Sequence, residues 1–319
     1  MNRPDFKPDG TKGDQVQPGH SPMTNAPATR LNALGYHELV DKPGEAELAD
    51  YYAKKYYQQS IRTHRPSYSP EELLYRNNKI AQKLRTLTHL RDTPLPHKPC
   101  FLDIGAGEGF AMDFFRQNGW DVVGLDYSSH GLQTHHPHLT EALVVGDIQS
   151  SIEQLADQGR TFDAILLDNV LEHVLDPARL LQRIRRLMTH DTVLIIEVPN
   201  DFSVFQTHLL DNNRIDRPFW IVSPDHISYF NRQGLINLLQ SEGFADLKIL
   251  SDFPIDLFLF NDNTNYVMNK DVGKSCHAAR LAVENLLHGL PMEDTDRLYE
   301  AMAQAGIGRQ LIGYFRTSM

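Results

Sequence analysis

From Cys100 onward the chain alternates short apolar runs with helical segments, and this alternation leaves few folds open. Residues 100–104, 120–125, 142–146, 162–167 and 192–198 read as strands, with helices near 107–118, 128–135, 150–158 and 176–189 between them. Strands that are apolar on both faces and separated by helices build a parallel sheet covered on each side. The expected core is therefore a doubly wound α/β domain. Asp176 and Pro177 supply an N-cap and a first-turn proline for the last of these helices. Beyond it, Asn231 caps a helix over 231–242 and a strand follows at 245–250. Residues 251–306 carry the apolar run PIDLFLF and two helical segments, and GRQLIGYF (308–315) closes the chain as a strand.

The N-terminal third is different. Pro4, Pro8, Pro18, Pro22 and Pro27 break up residues 1–30, which have few large apolar groups, so 1–44 is expected to be a flexible tail. Helical patterning begins near Glu45, and 45–97 is expected to form a helical cap. Ser69, Pro70 and Glu72 form a capping box ahead of Leu73, Ile80, Leu84 and Leu87. Tyr52 and Tyr56 lie one helical turn apart in DYYAKKYYQQ, an aromatic face that can pack on the sheet. Arg62, His64 and Arg65 read as a solvated cluster by default.

Composition excludes several classes. No apolar run approaches the roughly 20 residues needed to span a bilayer, and no secretory leader is evident. Two cysteines, Cys100 and Cys276, do not make a disulfide framework, so a cytoplasmic location is expected. A net charge of −10 without a basic stripe argues against a DNA or RNA partner.

The chemistry concentrates in FLDIGAGEGF (101–110). Gly105, Gly107 and Gly109 sit where strand passes to helix, and glycine lets a ligand approach the backbone. A dinucleotide fingerprint would want glycine at Phe110, and that departure lowers the dinucleotide reading. Three acids decide the matter. Asp126 ends the second strand, where a carboxylate accepts ribose hydroxyls. Asp103 lies inside the first strand, where a carboxylate suits an ammonium and repels a pyrophosphate. Asp147, followed by Ile148, ends the third, where it suits an adenine amino group with an apolar neighbour over the ring. Ammonium, ribose and adenine together describe S-adenosylmethionine.

FLDIGAGEGF, GLDYS, GDI and FDAILLDNVLEHVLDP resemble the successive motifs of class I S-adenosylmethionine-dependent methyltransferases, over about residues 98–200. The resemblance implies a Rossmann-like, seven-stranded, mostly parallel sheet with an antiparallel last strand, N-terminal helices and a helical insertion before that strand. It implies that Asp103, Gly105, Ala106 and Gly107 line the methionine end, Asp126 and Tyr127 the ribose, and Asp147 with Ile148 the adenine. Asn169 and Val170 would lie near the transferred methyl. EVPNDFSVFQ, PDHISYFN and GIGRQLIGYF further resemble bacterial methyltransferases of sugar, surface-glycan and secondary-metabolite pathways. That similarity covers about 50–319.

A base is needed when the accepting atom must lose a proton. His173, in DNVLEHV, either approaches the methyl site or packs its loop. His226, in FWIVSPDHISYFN, is either a base or a loop anchor. Trp220 and Tyr229 of that segment, with Tyr56, are the candidate substrate contacts, core packing being the alternative for Trp220. No metal is expected, because THHPH (His135, His136, His138) lacks an acid or cysteine at ligand spacing. The expected domain spans 98–319, with substrate segments at 199–230 and 251–306. The expected reaction is methyl transfer to a small molecule: a hydroxyl of a sugar, nucleotide-linked sugar or natural product. The alternatives are a protein or RNA acceptor, a non-catalytic cofactor-binding partner and a nicotinamide-dependent dehydrogenase. Oligomeric state is not written in the sequence.

Overall fold

The computed structural model describes residues 26–48, 51 and 67–318. Its strands are, in chain order, β1 (Thr29–Leu31), β2 (His37–Leu39), β3 (Cys100–Ile104), β4 (Asp121–Asp126), β5 (Leu143–Val145), β6 (Phe162–Asp168), β7 (Met188–Pro199), β8 (Ser228–Tyr229), β9 (Phe244–Ser251) and β10 (Gln310–Thr317). Seven of them form one sheet in the order β5-β4-β3-β6-β7-β10-β9. The five strands from β5 to β7 pair in parallel, and β10 runs antiparallel to both β7 and β9. The expected seven-stranded, doubly wound architecture is thus present. The chain moves outward from β3 to β5 and then returns to β6, so the switch point falls between β3 and β6, where such sheets bind ligands.

Because side chains alternate across a strand, each sheet face has its own core. On one face Leu102, Ile104, Ile165, Leu167, Ile196 and Val198 pack beneath the helices Ile148–Asp157, Pro177–Arg185 and Arg232–Ser241. On the other, Phe101, Leu166, Val193, Ile195, Ile312 and Tyr314 pack against Ile80 and Leu87 of the helix Pro70–Leu90, and against Tyr299 of the helix Met292–Gln304.

Local rules explain most element ends. Ser69 and Glu72 close the expected capping box, and Asp176 and Asn231 accept from Arg179 and Gly234 as N-caps. The helix after β3 starts at Phe110, later than its apolar pattern suggests. Gly105, Gly107 and Gly109 all have left-handed φ (80°, 54° and 80°), which no right-handed helix adopts.

Two expectations on the N-terminal third change. Part of the supposed tail is ordered: β1 and β2 form a hairpin joined by β8 in a separate three-stranded sheet. Tyr36 between them is buried against Phe230 at a ring distance of 4.7 Å, an anchor that proline content cannot reveal. Residues 45–48 are helical as expected, but Tyr52, Tyr56, Arg62, His64 and Arg65 lie outside the described residues. The insertion before β10 does contain two helices, Gly273–His288 and Met292–Gln304, and the first of these packs on Pro70–Leu90. Among the described residues no helix is long and apolar enough to cross a membrane.

Gly234 marks where the hairpin meets the main domain. A Cβ there would stand 2.6 Å from Tyr36 Cβ and 2.9 Å from its backbone nitrogen. Gly234→Ala should therefore destabilise the fold by about 1–3 kcal/mol in chemical denaturation. Gly44→Ala, with nothing within 4 Å, should stay within about 0.5 kcal/mol of the parent.

Candidate active site

The site is built outward from the glycine turn. The Gly105 and Ala106 N–H groups both donate to Leu125 O of β4, folding the chain back over the carboxyl end of the sheet. A Cβ on Gly105 would lie 2.5 Å from Val170 Cγ2, so the turn and the segment after β6 touch because residue 105 has no side chain. Asp126, buried at the end of β4, accepts from Gly107 N–H at 2.8 Å and from Ser128 N–H at 2.9 Å, one bond to each oxygen. Both oxygens are oriented by backbone N–H groups.

Asp147 has two tasks. It caps the helix Ile148–Asp157 by accepting from Ser150 N–H and its hydroxyl, and its other oxygen accepts from Tyr127 at 3.2 Å. Burial works against its ionisation, but the Ser150 and Tyr127 hydrogen bonds win and hold it below the usual carboxylate range. Tyr127 is exposed and Ile148 buried beside it.

A cavity of about 360 Å³ opens next to the turn, lined by Asp103, Gly105, Ala106, Gly109, Asp168 and Asn169 among others. Register fixes its floor. Asp103 pairs with Leu166 and Asp168 with Glu197, so the three acids stand on one face of adjacent strands β3, β6 and β7. Two lysines from the helix Pro70–Leu90, one turn apart, meet them there. Lys83 Nζ lies 2.8 Å from Asp168 and 2.6 Å from Glu197, and Lys79 Nζ lies 2.5 Å from Glu197. Burial alone would discharge both ammoniums, yet Glu197 and Asp168 keep them protonated above the ordinary lysine value. Arg280, from the helix Gly273–His288, extends the network to Asp252 at 2.6 Å, Glu284 at 3.1 Å and the Tyr75 hydroxyl at 2.9 Å. Asp103 receives no hydrogen bond from a described residue and faces the cavity. Burial, reinforced by the Asp168 charge, pushes its pKa up to about 8, with Lys83 opposing. Asn169 lines the same cavity in a left-handed conformation (φ 54°), its N–H donating to Glu197 O and its amide to Asp168.

Sequence reasoning singled out Asp103, Asp126, Asp147 and Asn169, and the structure gathers them along the carboxyl edge. It missed Lys79, Lys83, Glu197 and Arg280. The signal available was an acid inside the apolar run TVLIIEV and two lysines at i, i+4 beside the apolar positions of one helix.

The histidines form a separate cluster after β6. The His173 and His226 rings meet edge to face at 4.8 Å. His173 Nδ1–H donates to Asp225 O at 2.7 Å, leaving Nε2 as the acceptor, 3.6 Å from Glu172 Oε1. Glu172 is fully buried, neither carboxylate oxygen has a hydrogen-bond partner among the described residues, and burial holds its pKa well above the carboxylate range. One atom from each of Glu172, His173 and His226 lies within 4.8 Å of the others, a spacing from which a metal ion could be held. Neither histidine lines the cavity beside Asp103.

Two expected substrate contacts are corrected. Trp220 is 1% exposed and packs with Leu209, Ile215 and Leu259, and Tyr229 is fully buried and donates to His226 O. Both are core residues, because the 199–230 segment folds inward on its own aromatic cluster. Tyr56 lies outside the described residues.

A family model described as "Methyltransferase domain" matches residues 73–249. The chain is 33% identical over 121 residues to the Ubiquinone biosynthesis O-methyltransferase of Azorhizobium caulinodans, a match covering 38% of this chain and 44% of that protein. It is 27% identical over 173 residues to the protein of the same name from Bartonella quintana, covering 54% and 69%. The chain thus spans less than half the length of the first relative. Among solved structures, the plantazolicin methyltransferase BpumL in complex with triazolic desmethylPZN analog and SAH superposes with a TM-score of 0.51. At 12% identity, over 85% of this chain and 95% of that one, the likeness is one of fold.

Asp103 predicts a pH dependence. Its carboxyl is protonated below about pH 8, whereas pairing with an ammonium requires the ionised form, so binding releases a proton. Affinity for S-adenosylhomocysteine should rise with pH from about 6 to 8, by up to roughly tenfold per unit. Asp103→Asn should flatten the profile in calorimetric titrations. Asp126→Ala should abolish binding at every pH.

Proposed function

We propose, for a chain that belongs to the methyltransferase-domain family, that it transfers a methyl group from S-adenosylmethionine to a hydroxyl of a small molecule. The carrying observation is the set of acids along one sheet edge: Asp103 for the ammonium, Asp126 for the ribose diol, and Asp147 with Ile148 for the adenine. The residues fit the cofactor, because Asp103 is a buried carboxylate with no donor from a described residue and the Asp126 oxygens are already oriented by backbone. When bound, S-adenosylmethionine supplies an electrophilic methyl on a sulfonium. The chain supplies orientation and exclusion of water, which carry much of the acceleration in a direct displacement.

Oxygen as the accepting atom is supported by the relatives named as O-methyltransferases. A polar acceptor, such as a sugar or nucleotide-linked sugar, suits the cavity wall made by Glu72, Lys79, His277 and Arg280. His173 and His226, in the cluster after β6, are the candidate acceptors for the alcohol proton, although neither lines the cavity that holds Asp103. His173 donates Nδ1–H to Asp225 O, and its Nε2 lies 3.6 Å from the buried Glu172 carboxyl. His226 packs on that ring and completes the proton-accepting group. Two free cysteines suit a reducing cytoplasm.

Formation of S-adenosylhomocysteine with a panel of hydroxyl acceptors tests the activity. His226→Ala should lower kcat by about 10²–10⁴-fold while cofactor affinity by calorimetry stays unchanged. Near-normal turnover would reduce His226 to a loop anchor.

A further inference from the structure

Asp103, Asp168 and Glu197 present three carboxylates to one cavity, and an ammonium ligand needs one of them in a defined place. The lysines decide which. Lys83 Nζ bridges Asp168 and Glu197, 2.8 and 2.6 Å away, and Lys79 takes the other oxygen of Glu197. Both ammoniums are buried by the helix that carries them. Asp103 alone of the three receives no cation among the described residues.

We propose that Lys83 is a positioning residue for cofactor recognition: by occupying Asp168 and Glu197 it reserves Asp103 for the ammonium of the methionine end. The inference rests on the cofactor reading above and assigns a new role to the helix before the sheet. The groups facing Asp103 are Asp168 from β6, Asp126 from β4 and Lys83 from the helix Pro70–Leu90. With Lys83 gone, the Asp168 charge acts on Asp103 uncompensated and Asp103 holds its proton to higher pH. Docking of the N-terminal helix and recognition of the ammonium are then one event.

The test titrates the full chain by calorimetry with two ligands between pH 6 and 9. S-adenosylhomocysteine carries the amino-acid end, and 5′-methylthioadenosine lacks it. In Lys83→Met, S-adenosylhomocysteine should bind at least tenfold more weakly at pH 7, with its pH profile moved up by about one unit. Methylthioadenosine should stay within twofold of the parent. Asp168→Asn, which keeps Lys83, should move the S-adenosylhomocysteine profile downward, and this variant stands in if Lys83→Met does not fold. Adding Asp168→Asn to Lys83→Met should restore affinity to within threefold.

An equal loss for both ligands would make Lys83 merely structural. A loss that is independent of pH and not restored by Asp168→Asn would mean that Lys83 touches the ligand carboxylate directly, which also overturns the proposal. An unmoved profile in Asp168→Asn does the same. If the parent chain binds neither ligand, the cofactor reading itself fails and the proposal falls with it.

Discussion

Glu197 is buried beside Asp168 of the next strand, and much of the molecule is arranged around the two lysines that pair with them. An unpaired buried charge costs several kcal/mol, and removing one partner from a buried pair costs about 3–5 kcal/mol. No cation for these acids stands on the face of β3, β6 or β7 itself. Lys79 and Lys83 come from the helix Pro70–Leu90, and Arg280, from the helix Gly273–His288, pairs with the neighbouring Asp252 and Glu284. The helix before the sheet and the insertion after it are therefore parts of one electrostatic unit, although about 200 residues of sequence separate Tyr75 from Arg280. Calling one a cap and the other an insertion describes the chain order and misses the physics.

The second constraint is steric. The glycine turn must touch the segment after β6, and Gly105 permits this by having nothing where Val170 Cγ2 sits. Asn169, one residue earlier, takes a left-handed conformation that costs most side chains about 1–2 kcal/mol and asparagine less. Its N–H to Glu197 O and its amide to Asp168 hold it there. The acid–lysine network therefore also fixes backbone at the point where the resemblance places the transferred methyl.

Much of this was legible in the sequence, and the limits have physical reasons. The alternation of apolar runs and helices gave the parallel sheet, and the capping residues Ser69, Asp176 and Asn231 sit where expected because caps are local. Asp103, Asp126 and Asp147 could be found because acids within or just after apolar strands stand out against their neighbours. The lysine partners could not be assigned, because strand order decides that β3, β6 and β7 are adjacent and no local pattern states strand order. The hairpin Thr29–Leu39 was hidden for the same reason: its third strand, β8, lies 190 residues away in sequence. Trp220 and Tyr229 misled because an aromatic residue in a polar segment serves a core and a binding wall equally well.

The division between the two charged groups bears on mechanism. In the lysine network Glu197 and Asp168 keep the ammoniums protonated, and the ammoniums hold the Glu197 carboxyl below its usual range. The network can position charge but not exchange protons. The cluster of Glu172, His173 and His226 has the opposite character: a buried carboxyl pushed upward by desolvation and an imidazole nitrogen facing it. Fixed charge thus lines the cavity beside Asp103, and the histidine cluster lies outside it. A displacement at a neutral alcohol needs both, one to hold the donor still and one to take the proton.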